Sequence, residues 1–170
     1  RRMTDQSDIS PEQQKLNESV NEIVIALINS FIERHTDGQN LNVDLTAMAT
    51  GLESGRIARM AGMSDVVEIF SIVASAAPEE LQDTEKWHWP EELPVQEEVF
   101  AAETTALQEA ENAAIQQMRD EGIEPLHVAL SLGMYAVHLA QNAKDHVDPQ
   151  TVMGVFRDSC ERGYKAFLSN

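Results

Sequence analysis

Between residues 16 and 32, Leu16, Val20, Ile23, Val24, Leu27, Ile28, Phe31 and Ile32 recur three and four apart. At about 100° per residue that spacing gathers them into one broad arc. Such an arc commits the segment to an amphipathic helix, which must bury its apolar face against another element. No stretch of the chain alternates apolar and polar residues as a half-buried strand does. The sequence therefore predicts an all-α fold, helix packed on helix.

Capping residues divide the chain. Ser10-Pro11-Glu12-Gln13 offers a capping serine, a proline at the first helical position and a glutamine placed to close a capping box; Gly38 ends that helix. Asn42 or Asp44 can cap a second helix through Leu45, Met48, Ala49, Leu52 and Met60 to Gly62, weakened by its internal Gly51 and Gly55. Ser64 is placed to cap a third, Val66 to Val73, which is apolar nearly all round and so is expected between neighbours, with Pro78 closing it. An alanine-rich helix follows from Val95 to Glu121, about 40 Å at 1.5 Å per residue. Glu124-Pro125 opens a fifth helix ending near Lys144, and Asp148-Pro149 opens a sixth.

The resulting architecture is a bundle of about six helices in two halves sharing one core. Residues 1–9 are expected to be disordered or foreign to the natural chain, 10–77 to form a three-helix half, and 95–170 to form the other. Between them, 78–94 is an acidic linker with three prolines and both tryptophans. A spacing of 103 relates Ala26-Leu27 and His35 to Ala129-Leu130 and His138, hinting at a duplicated hairpin. The wheel speaks against it, since His35 falls in an apolar arc and His138 on a polar strip.

Acids outnumber bases 29 to 12, for a formal charge of −17. That charge repels nucleic-acid phosphates and anionic lipid, so neither direct nucleic-acid binding nor membrane association is expected. Cys160 is the single cysteine, which excludes an intramolecular disulfide and a thiolate metal cluster and suits the reducing cytoplasm. It projects among Val152, Phe156, Gly163 and Phe167, as a packed core thiol does.

Three places combine polar chemistry with apolar surroundings. The segment from Pro125 to Ala143 contains no Asp, Glu, Lys or Arg, and apolar residues cover nearly three-quarters of its wheel. It is expected to be the central helix, with His127, Ser131, Tyr135 and His138 offering a candidate ligand-binding stripe. Glu103 sits on the inner face of the alanine-rich helix, where a carboxylate requires a partner. Arg56 or Arg59 on the second helix is the expected mate, and Glu103 is also a candidate ligand group. Trp87-His88-Trp89-Pro90 supplies aromatic candidates for partner docking, although rings of this size also serve to anchor a linker.

Motifs for catalysis or cofactors are missing. Glu124-Pro-Leu-His127 occurs once, whereas a di-metal bundle needs two Glu-x-x-His pairs. Asn40, Asn42 and Asp44 have calcium-loop spacing, but Leu45 and Gly51 stand where glycine and glutamate are needed. No phosphate loop or nucleophile elbow is present. No cofactor or metal is expected, and the first functional reading is a non-catalytic adaptor for a protein partner, basic in character, or a homodimer through an apolar helix face. An alternative is a small-molecule or metal-binding protein, even an enzyme, using the His/Ser/Tyr stripe. A second alternative is an acidic decoy of nucleic acid, with Glu98, Glu109 and Asp120 on one helix face.

Overall fold

In the computed structural model the described residues are 10–36, 43–89 and 104–168. Six α-helices run through them: α1 (Pro11–Thr36), α2 (Val43–Met60), α3 (Val67–Ala76), α4 (Thr104–Glu121), α5 (Pro125–Asn142) and α6 (Pro149–Leu168). Two single 3-10 turns, Glu79–Leu81 and Thr84–Lys86, lie between α3 and α4. The expectations for residues 1–9, for 90–94 of the linker and for 95–103 of the alanine-rich helix lie outside the described residues.

Local chemistry sets the helix starts. Ser10 Oγ accepts from the Gln13 backbone N–H at 3.1 Å, as a capping serine should, while the Gln13 side chain turns forward to Asn17 instead of closing the box. At α3 the N-cap position falls on Val66, which has no side-chain cap, and Asp65 Oδ1, not Ser64, accepts from the Val67 N–H at 3.0 Å. Asp148 Oδ1 likewise accepts from the Gln150 N–H at 3.0 Å and, with Pro149, starts α6.

The centre of the fold is α2, not the uncharged helix. Every residue from Thr46 to Ala58 is buried, whereas α5 leaves Tyr135 and His138 exposed. Glycine explains the difference. A Cβ on Gly51 would lie 2.6 Å from Ser159 Cβ, and one on Gly55 would lie 2.8 Å from the Tyr164 backbone nitrogen. The backbones of α2 and α6 therefore touch, and the glycines that weaken α2 as an isolated helix allow it to be enclosed. In an exposed helix Gly→Ala stabilises by roughly 0.5–1 kcal/mol. Here the sign reverses: Gly55→Ala is expected to lower stability by about 1–3 kcal/mol, the usual cost of overpacking, read from the urea midpoint.

A single core cluster runs from Val20 in α1 to Tyr164 in α6 and includes Ile69, Leu81, Trp87, Val128 and Phe156. The 79–89 segment belongs to it as a strap across α6. Arg157 donates from Nη1 to the Thr84 carbonyl and from Nη2 to the Trp87 carbonyl, both at 2.8 Å. The His88 N–H donates to the Gln150 carbonyl at 3.2 Å, and Gly154 makes room for the His88 backbone. The third helix also departs from expectation. Only Ile69, Phe70, Val73 and Ala74 of α3 are buried, and its other face is open.

Candidate functional site

Of the sequence candidates, the stripe on α5 is a surface feature: His127 and Ser131 are half-buried, Tyr135 and His138 exposed. The apolar arc of α5 faces α2, α3 and α6, so the polar quarter is left outward and needs no internal partners. Trp87 is buried, with its indole N–H donating to the Leu81 carbonyl at 3.0 Å and its ring edge-on to Phe70 at 6.4 Å. This ring is a strap anchor and is not presented to a partner. Trp89 is half-buried beside a surface cleft that also includes Asp158, Glu161, Arg162 and Lys165. Glu103 and Glu98 lie outside the described residues, while Glu109 and Asp120 are exposed on α4.

Arg56 sits inside the bundle beside carboxylates, and among the described residues these are Glu53 and Glu111. Its Nη1 donates to Glu111 Oε1 at 3.0 Å and lies 3.6 Å from Glu53 Oε1, with all three residues buried. Two acids and one cation in a place of low polarity favour retention of a proton by one acid. Burial raises the Glu111 carboxyl above its ordinary range, opposed by the charge of Arg56 and by hydrogen bonds from Glu53 and Arg56. The wheel held this signal: Glu111 stands four residues after Leu107 and three before Ala114, on the same inner arc as Glu103. Glu53 was hidden because α2 has no outward face to contrast with an inward one.

The raised pKa fixes a sign. Between the unfolded value near 4.5 and the higher folded value, the native chain holds the Glu111 proton more tightly than the unfolded chain. The contribution of this group is therefore largest below the unfolded pKa and declines as pH rises through the folded one. Urea unfolding of the parent and of Glu111→Gln across pH 4 to 8 should show the parent losing stability relative to the variant as pH rises. A parent that gained on the variant over this range would reverse the assignment.

Arg59 donates to Tyr164 Oη at 3.0 Å and lies over that ring, 5.1 Å from its centroid, while its expected pairing with Glu103 falls outside the described residues. Tyr164 in turn donates to the Met63 carbonyl. Cys160 is buried, and burial pushes its thiol up to about 12, so it is unreactive as a nucleophile in the folded chain.

A cleft of about 450 Å³ opens between α2, the last turns of α4 and the start of α5. Ile57, Met60, Ile115 and Met118 contribute to its walls, and among the described residues Arg59 and Arg119 are its charged ones. Sequence reading missed it because its walls come from helix edges whose convergence depends on how α2 and α4 cross. Among the described residues, no group of three or more His, Cys, Asp or Glu side chains is arranged to hold a metal ion, and no helix is long and apolar enough to cross a membrane.

No family model, no curated protein and no solved structure matches this chain.

Proposed function

We propose that this chain is a non-catalytic adaptor that docks a basic protein partner on the outer face of α3. The observation that carries the reading is the exposed apolar surface of that helix: Val67 is 61% and Ile72 37% exposed, with Glu68 and Ala76 on the same open side. Isolated exposed apolar residues are ordinary. The charge around these two is not. From residue 61 to residue 85 the chain has six acids and no Lys, Arg or His, and all six acids are exposed.

Trp87 supports this surface from beneath, since its contact with Phe70 holds the acidic strap against the end of α3. An open helix face carrying Val67 and Ile72 among serines and carboxylates attracts a partner with apolar side chains set among lysines or arginines. It disfavours a second copy of itself, because self-docking would bring like charges together. A cytoplasmic setting is part of the proposal, in keeping with the buried reduced thiol of Cys160.

The test is affinity capture from the native host with the parent chain and with Val67→Lys/Ile72→Lys, which alters only exposed positions and should fold normally. A basic protein held by the parent, released by salt and lost with the variant is the expected result. Equal capture by both chains would remove α3 as the docking face. A dimer by light scattering that the double variant dissociates would replace the basic partner with a second copy.

A further inference from the structure

The cleft between α2 and α4 has a character opposite to that of the molecule around it. In a chain of formal charge −17, the charged residues that line it among those described are two arginines, Arg59 and Arg119. Neither has a carboxylate partner among the described residues. Arg59 is oriented by Tyr164, whose hydroxyl occupies one of its N–H groups and leaves the others available.

The neighbouring acids of α4 are turned elsewhere. Asp120 accepts from Gln116 Nε2 at 2.9 Å, and Glu121 accepts from Ser19 Oγ at 2.8 Å, with both acids lining a separate cleft against α1. Two guanidiniums are thus left at an aliphatic pocket that no acid among the described residues enters. Among the described residues the walls carry no aromatic ring on which a base or sugar could stack. Two of them are methionines, whose unbranched side chains adapt to a flexible chain. The volume lies within the ~300–1,000 Å³ of small-molecule sites.

We infer that this cleft binds an aliphatic monocarboxylate, a fatty acid, with its carboxylate between Arg59 and Arg119 and its chain along Ile57, Met60, Ile115 and Met118. Guanidinium and carboxylate match in shape and charge, which fixes the head. The tail contributes by burial, at about fourfold in affinity per enclosed methylene. None of these residues belongs to the α3 face, so this site and the docking surface stand or fall separately.

Dodecanoate, octanoate and dodecyltrimethylammonium, each below its aggregation concentration, are to be titrated into the full chain by calorimetry. Saturable binding of dodecanoate at one site, at least tenfold tighter than octanoate, is expected. The trimethylammonium compound is the decisive comparison. Net charge alone would favour the cation, whereas the two arginines reject it. Arg119→Gln changes an exposed residue and should weaken dodecanoate about tenfold, with the thermal midpoint unaltered. Ile115→Trp, which fills the cleft without changing charge, should abolish binding. Binding of the cation as tight as that of dodecanoate, full affinity in both variants, or no saturable dodecanoate binding would each overturn the inference.

Discussion

Replacement of Arg56 by methionine is expected to lower folding stability by about 3–5 kcal/mol, the cost of leaving a buried charge without its counterion. Methionine replaces much of the stem volume, so the loss is chiefly electrostatic: Glu53 and Glu111 stay buried with no cation between them. The deficit should shrink on acidification, because neutral carboxyls are cheaper to bury than ionised ones. Replacing all three residues with apolar ones, Glu53→Leu, Arg56→Met and Glu111→Leu, should recover most of the loss. Buried ion clusters exchanged whole are often neutral or stabilising. Urea unfolding at pH 7 and at pH 5 measures both effects. A single Arg56→Met variant within about 0.5 kcal/mol of the parent, the range of surface changes, would mean that the cluster is solvated.

Trp87→Ala should cost about 3–5 kcal/mol, since it empties a fully enclosed aromatic site in the strap. Trp87→Phe separates the two contributions. It keeps much of the apolar volume and loses the N–H donation to Leu81, leaving that carbonyl without its indole donor. Its expected loss is smaller, about 1 kcal/mol from the hydrogen bond together with the trimmed ring. A tryptophan that served only as a partner's anchor would leave unfolding untouched in both variants. The fraction unfolded against urea, followed by far-ultraviolet circular dichroism, distinguishes the two cases without reliance on indole emission.

The parts of this fold legible in the sequence are those set by local chemistry. Ser10, Pro11, Asp148 and Pro149 act within one turn of where they stand, and the arc of Val20, Ile23, Val24, Leu27 and Ile28 is buried as its spacing requires. Rank within the bundle was not legible. Helix α5, free of Asp, Glu, Lys and Arg, reads as central, while α2, with Glu53, Arg56 and two glycines, reads as marginal. Burial inverts that order because α2 hides its charges in a mutual cluster with Glu111 and its glycines admit α6. Propensity measures a helix alone, and enclosure measures what the neighbours tolerate. The candidate sites were legible to the same degree. The placing of Arg56 inside the bundle beside carboxylates is legible, and Glu53 stands one turn before it on the same helix, whereas the contact with Glu111 required the crossing of α2 and α4, as did the cleft at Arg59 and Arg119.

The enclosure of α2 by α6 has a consequence for how the chain reaches its native state. The Tyr164 hydroxyl that joins α6 to Arg59 and Met63 spans 105 and 101 residues of sequence, and Gly55 rests against the same late turn. At about 5–20 residues per second, α2 leaves the ribosome roughly 5–20 s before the helix that seals it. Throughout that interval its glycine-lined flank has no cover, and the long loop between the two helices must close before their contact contributes. A nascent chain halted after α5 should therefore be protease-sensitive across residues 46–58, and release of α6 should convert that segment from the most vulnerable stretch of the protein to its most protected.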